Sequence, residues 1–235
     1  MNLFPKNVRF FSTYRYIEGG QGSENFNLAL NGNDTNERTL ENRSILKKHY
    51  DLPSDPVWIN QTHSSVCINA SLNQEMGYAD ASFTNNSGVV CAILTADCLP
   101  VFVSKKDGSM VGIAHAGWKG LISGVIENLI ESFNCNGSDL SVHLGPAISK
   151  DCFEVGVEIR DLYLLKNINF NRSFSLYRDK YYLDLYDAAK VILESYNIKL
   201  ISGGNRCTFR ESKEFFSYRR DGIDSGRMAH LIWIT

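Results

Sequence analysis

The chain has no CxxC pair, no apolar run long enough to span a bilayer, no basic block and only five histidines in 235 residues. Each shortage narrows what the protein can be. Lys+Arg 24 against Asp+Glu 26 leaves a net charge of -2, so nothing favours a nucleic-acid surface. Without a long apolar run, no membrane span is expected. The opening residues MNLFPKNVRFFSTY lack the apolar core behind a basic start that marks a secretory signal. The six cysteines, Cys67, Cys91, Cys98, Cys135, Cys152 and Cys207, fall mostly in apolar segments and read as reduced thiols in the cytoplasm. Internal repeats, low-complexity tails and linkers are also missing. A hydrophobic content of 43% is enough for one substantial core, and a single domain over residues 1–235 is expected.

What is present centres on residues 94–121, LTADCLPVFVSKKDGSMVGIAHAGWKGL. Apolar runs at 89–94, 101–103 and 111–114 read as strands, interrupted by Asp, Pro and Gly. Cys98 and His115 therefore sit where strands hand over to loops, positions that hold a reactive side chain on a rigid base. A lone Cys beside apolar strands is more often a small core residue. Cys98 has company, because His63 follows another strand-like run at 57–60. Two imidazoles and one thiolate suit a tetrahedral zinc with its fourth position left open.

The remaining chain reads as strands and helices without regular alternation, which favours α+β over a doubly wound sheet. Residues 16–33 read as a Gly-, Asn- and Ser-rich loop. Helices are expected at 35–50, capped by Asp34 or Thr35, at 118–133, at 158–165, and at 185–196, capped by Asp184. Residues 141–144 and 228–234 read as strands, with His143 and His230 as structural histidines, and 171–182 reads as a polar hairpin. Cys152 reads as structural, having no evident basic partner. Trp118 reads as a packing residue, and Lys119 as a solvated charge or a phosphate contact. In 215–221, FFSYRRD, the aromatics could stack a flat base, and on a strand only one of Arg219 and Arg220 would face a site.

The motifs QTHSSVC, DASFT, TADCLPVF, GIAHAGWKGL, LGPAIS followed by CFEVG, CTF and FFSYRRDGIDSGRMAHLI occur in that order over residues 11–234. Together they resemble the laccase-domain family, known as multicopper polyphenol oxidase, as purine nucleoside phosphorylase or as peptidoglycan editing factor. The resemblance implies a four-layer sandwich of packed sheets flanked by helices, similar to the fold of a deamidating toxin with a Cys/His pair. It implies purine nucleosides and phosphate as substrates: phosphorolysis of adenosine, inosine, guanosine and S-methyl-5'-thioadenosine. It also brings the Asn42-Arg43 pair close to the site, making these two, with Arg219 and Arg220, candidates for holding phosphate or substrate.

The family's names disagree on chemistry, so the residues have to choose. A multicopper centre needs far more imidazoles than His63 and His115, and His49, His143 and His230 match no ligand motif. A copper-dependent polyphenol oxidase is therefore disfavoured, although a single copper at the Cys/His site is chemically allowed. A zinc held by His63, Cys98 and His115 would acidify a water for attack at C6 of adenosine, giving inosine. Asp97 and Asp80 are the carboxylates nearest in motif, either as proton shuttles or as orienting partners of an imidazole; Asp97, Cys98 and His115 are the candidate catalytic residues. The alternative is a metal-free hydrolase or editing factor in which Cys98 attacks and His115 is its base, acting on peptidoglycan precursors or amide bonds.

Overall fold

The computed structural model describes residues 3–17, 25–30, 34–72 and 77–235. The loop expected at 16–33 falls partly outside them. In chain order, β1 (Val8–Ser12) and α1 (Asn36–His49) precede five strands: β2 (Cys67–Asn69), β3 (Ala81–Thr84), β4 (Cys91–Thr95), β5 (Leu99–Lys105) and β6 (Val111–Ala116). Next come α2 (Trp118–Ser123), α3 (Val125–Ser132), β7 (Leu140–Leu144), β8 (Glu154–Val155) and α4 (Val157–Lys166). The chain ends with β9 (Phe174–Tyr177), β10 (Lys180–Leu183), α5 (Leu185–Ser195), β11 (Leu200–Gly203), α6 (Tyr218–Asp221) and β12 (Met228–Ile234).

Four layers result, as an α+β fold. A six-stranded sheet of order β11-β7-β5-β6-β3-β2 lies between a helical layer and a three-stranded sheet of order β1-β12-β4. Alternation along β5 assigns the faces. Val101 and Val103 pack with Leu129 and Ile126 of α3 and Ala189 of α5, whereas Phe102 packs with Ile93 of β4 and Ile232 of β12. The outer face of the smaller sheet, through Ala92, Leu231 and Trp233, packs against Leu28 and Leu46 of α1. Because β5 and β6 are covered on both faces, nearly every residue in them is buried. A third sheet, β8-β10-β9, is separate from the other two.

The helix caps follow the sequence. Thr35 accepts from Arg38 N, and Asp184 accepts from Tyr186 N and Asp187 N. Three expectations need correcting. The helix expected at 118–133 is two helices, broken at Gly124, whose φ of 95° closes α2 before α3 begins. Residues 57–60 form no strand; Val57 and Asn60 make single bridges to Cys91 and Tyr78. Arg219 and Arg220 lie on α6 rather than a strand, with Ser217 capping it through Arg220 N, so the alternation argument does not apply to them.

Sheet register brings the site together. β5 pairs antiparallel with β6, with Leu99 opposite Ala116 and Pro100 opposite His115. Cys98, one residue before β5, therefore emerges at the same sheet end as His115, which lies within β6 rather than in the following loop.

Candidate active site

Asp80 builds the site. Fully buried just before β3, its carboxylate accepts from Thr62 N at 3.1 Å, His63 N at 3.0 Å and Ser64 N at 2.6 Å, and from Ser64 Oγ at 2.7 Å. Three successive amides wrapped on one carboxylate fix the tight turn that holds His63 at a φ of 60°. The same carboxylate receives His115 Nδ1 at 2.8 Å. Burial alone would raise the Asp80 carboxyl, but these donors hold it well below the usual carboxylate range. Gln61 fixes the turn to the sheet by pairing its amide with Leu94, at 2.8 Å to the carbonyl and 2.7 Å from the N–H.

With Nδ1 committed to Asp80, His115 has Nε2 left for a ligand. One donor atom each from His63, Cys98 and His115 lie within 4.8 Å of one another. Cys98 Sγ is 3.9 Å from His63 Nε2, and the two imidazole centroids are 4.8 Å apart. Burial opposes ionisation of the Cys98 thiol, yet His115 and His63 outweigh it and draw it down to about 6. Burial likewise opposes a charged His115, but the Cys98 and Asp80 charges lift it to about 9. The three residues form a thiolate–imidazolium–carboxylate line with a second imidazole beside the sulfur.

The donor set fits a single metal ion. Two imidazoles and a thiolate are zinc-type ligands, and Gly117 keeps the space above the sulfur open: a Cβ there would stand 2.8 Å from Cys98 Sγ and 3.2 Å from His63 Cδ2. A multicopper cluster does not fit. His143 pairs with Ser202 at 2.8 Å, His230 is buried between Thr95 and Ser12 at 2.7 Å each, and His49 packs edge-on to Tyr50. The described residues hold one metal-capable group.

Asp97, expected beside the chemistry, lines the cavity but has its carboxylate engaged. It accepts from Thr208 Oγ1 at 2.6 Å, Ser217 Oγ at 3.0 Å and Arg219 N at 2.7 Å. At a φ of 89° it also turns the chain into Cys98. It thus ties Cys98 to the 208 loop and to α6.

The cavity over this centre measures about 850 Å³. Arg43 and Arg219 line it; Asn42 and Arg220 do not. Asn42 is buried and donates to Asn27 O at 2.9 Å, supporting the segment under Arg43. Arg220 donates to the carbonyls of Thr208, Phe209 and Phe215 and pairs with Asp221, so it braces the C-terminal loop. Arg43 lies 4.1 Å over the Trp58 ring and donates to Leu28 O at 3.0 Å; burial lowers it to about 10. Arg219 lies over Phe153 and donates to Glu154 O at 3.1 Å.

Sequence reasoning missed Arg227. It lines the cavity, and among the described residues its guanidinium donates only to the carbonyls of Ser225 and Gly226, while burial lowers its pKa. The available signal was a charge directly before a wholly buried strand, where it has to find an anion or a cavity. Among the described residues none of Arg43, Arg219 and Arg227 takes part in an ion pair. Trp118 is a cavity wall as well as a packing residue, Lys119 Nζ lies over its ring, and Phe215 and Phe216 are core. Cys152 does have a basic neighbour, Arg210.

Fold and site together define a four-layer α+β protein with one His/Cys/His centre, braced by a buried Asp, opening on an arginine-bearing cavity. The chain belongs to the family described as multi-copper polyphenol oxidoreductase laccase, whose sequence model matches residues 10–235. It is 40% identical over 212 residues to the purine nucleoside phosphorylase YfiH of Escherichia coli K12, covering 90% of this chain and 87% of that one. It is 37% identical over 235 residues to a purine nucleoside phosphorylase of Haemophilus influenzae, covering 97% and 95%. Among solved structures it resembles Neisseria meningitidis protein NMB0706 at 38% identity and a TM-score of 0.91, covering 100% and 97% of the two chains.

Proposed function

We propose that this chain is a zinc-dependent purine nucleoside phosphorylase, cleaving adenosine, inosine, guanosine and S-methyl-5'-thioadenosine with phosphate, and that it also deaminates adenosine to inosine. The observation that carries this reading is that His63, Cys98 and His115 share one cavity lining with Arg43, Arg219 and Arg227. The names of the Escherichia coli and Haemophilus influenzae relatives support the phosphorylase part.

His63, Cys98 and His115 would hold the ion, which when bound supplies Lewis acidity at an open coordination position. The chain's own residues do the rest. Asp80 keeps a proton on His115 Nδ1 and so aims Nε2 at the centre. Arg43, Arg219 and Arg227 offer guanidinium donors that, among the described residues, form no salt bridge, a seat suited to phosphate in a partly desolvated site. Trp58, Phe153 and Tyr218, each with one of these arginines over its ring, add aromatic surface to the lining on which a purine would pack. Phosphate held on the arginines would attack C1′ of the ribose as the base departs.

The test is incubation of protein purified without added metal with adenosine and phosphate, resolving adenine, inosine, hypoxanthine and ribose 1-phosphate by chromatography. Adenine with ribose 1-phosphate supports the phosphorylase, and inosine supports the deaminase. Absence of all four products removes the purine reading. A second reading has a specific observation in its favour: Cys98, drawn down to about 6 and aligned with His115 and Asp80, is also the arrangement of a metal-free thiol nucleophile acting on amide bonds or peptidoglycan precursors. Full turnover by metal-stripped protein would select it.

A further inference from the structure

A second sulfur cluster lies next to the cavity walls and has no part in the chemistry above. Cys207 Sγ accepts from Ser149 Oγ at 3.0 Å and from Ser149 N at 3.4 Å. Burial opposes a charged sulfur, but the Ser149 donors, helped by the nearby backbone of residues 209 and 210, draw the Cys207 thiol below its ordinary value. Cys152 closes a short turn whose N–H returns to Ser149 O at 3.0 Å, so Ser149 is bonded to both cysteines, through its carbonyl to the Cys152 amide and through its hydroxyl and N–H to Cys207 Sγ. Arg210 lies against the same pair, and its guanidinium is braced by Asp151 at 3.2 Å. The two segments are registered by the Ala147–Cys207 bridge and by Thr208 N donating to Ala147 O at 3.1 Å. Cys207 is buried, Cys152 is half-buried, and both are free thiols.

We propose that Cys152 and Cys207 form a peroxide-responsive dithiol, a modification site distinct from the Cys98 centre, which closes into a disulfide when a hydroperoxide reaches Cys207. The Cys207 thiolate attacks the peroxide oxygen, the O–O bond breaks, and the alcohol or water leaves after taking up a proton; Cys207 becomes a sulfenic acid. The Cys152 sulfur then bonds to the Cys207 sulfur, and the sulfenic oxygen departs as water with the Cys152 proton. Two thiols lose two electrons and the hydroperoxide gains them. The position gives the bond a consequence. Phe153, next to Cys152, is a cavity wall under Arg219, and Thr208, next to Cys207, donates to Asp97 at 2.6 Å.

The test treats the reduced full chain with hydrogen peroxide, alkylates the remaining thiols and maps the peptides by mass spectrometry. The expected result is a Cys152–Cys207 linked pair that dithiothreitol reopens, and in Cys152→Ser a Cys207 sulfenic acid trapped by dimedone. If the serine variant misfolds, the wild-type map decides alone. The proposal is overturned if both thiols remain alkylatable at doses that oxidise Cys98, or if each is oxidised separately without linkage. It is equally overturned if the link forms as fast in urea-unfolded chain, since the fold would then contribute nothing.

Discussion

Asp80 Oδ1 lies 2.8 Å from His115 Nδ1 while the same carboxylate collects the amides of Thr62, His63 and Ser64. One buried side chain thereby sets the orientation of one imidazole and the backbone of the other. The two candidate ligands are 52 positions apart in sequence, His63 against His115, and their relative placement rests on this carboxylate.

Replacing that carboxylate should loosen both ligands together. Asp80→Asn keeps the size but exchanges an acceptor oxygen for an amide N–H, which faces donors it cannot satisfy. Loss of such a supporting partner typically costs about 10–100-fold in metal affinity. Zinc competition with a chromophoric chelator should show a drop of that order. Affinity within twofold of wild type would mean that the turn, not the carboxylate, holds the imidazoles.

The Cys98 thiol gives a pH signature in metal-free protein. Drawn down to about 6 by His115 and His63, it should reach half-maximal iodoacetamide alkylation near that pH, whereas ordinary thiols do so near about 8.5. Its folded value lies below its unfolded one, so the stability it contributes is full above the ordinary thiol range and is lost as pH falls through about 6. His115 is displaced the other way: its contribution is full below about 6.5 and lost as pH rises through about 9. Thermal melts of wild type and Cys98→Ser should therefore converge as the pH falls through about 6. Parallel profiles would show that the thiolate pair does not form.

How far the sequence carries this picture depends on the element. The buried strands β5, β6 and β12 were readable because sheets covered on both faces demand unbroken apolar runs, and the caps at Thr35 and Asp184 because short oxygen side chains precede helical periodicity. Residue type and resemblance name His63, Cys98 and His115 as one donor set, but the means by which Cys98 meets His115 is not legible, since it depends on the Leu99–Ala116 register of a strand pair. The arginines show the same limit. Residue type marked Arg219 and Arg220 equally, but four-residue α6 sends one into the cavity lining and the other into carbonyls of its own loop. Arg227 escaped although the carbonyls it grips, Ser225 and Gly226, are its own chain neighbours; what brings it to the cavity is the pairing of β12 with β1 and β4, which residue type does not reveal.

Arg227 should then matter to the anion rather than to the fold. Among the described residues its guanidinium forms no salt bridge, and the nearby Asp97 carboxylate keeps its donors from Thr208, Ser217 and Arg219 N. Arg227→Gln therefore removes a charge-assisted contact, worth about 1.5–3 kcal/mol, without leaving that acid unpaired. In steady-state phosphorolysis the KM for phosphate should rise by about tenfold or more, with the KM for the nucleoside changing far less. An unchanged phosphate KM would take Arg227 out of the proposed seat; equal loss for both substrates would make it a general support.

Two glycines separate damage to the site from damage to the core. At Gly112 a Cβ would meet Leu129 Cδ1 at 2.8 Å and the Ser82 carbonyl oxygen at 3.0 Å, where α3 packs on β6; Gly112→Ala should cost about 1–3 kcal/mol of stability and leave zinc binding alone. At Gly117, whose φ of -69° any residue accepts, the three atoms nearest an added methyl all belong to side chains: Cys98 Sγ at 2.8 Å, His63 Cδ2 at 3.2 Å and Cys98 Cβ at 3.7 Å. These side chains can swing aside at little cost to the fold, but a ligand set that has swung aside no longer shares a centre. Gly117→Ala should melt close to wild type yet bind zinc at least about tenfold more weakly, the size of effect expected when ligand placement is disturbed. If Gly117→Ala keeps its zinc and loses stability as Gly112→Ala does, the opening above the sulfur is not where the ion sits.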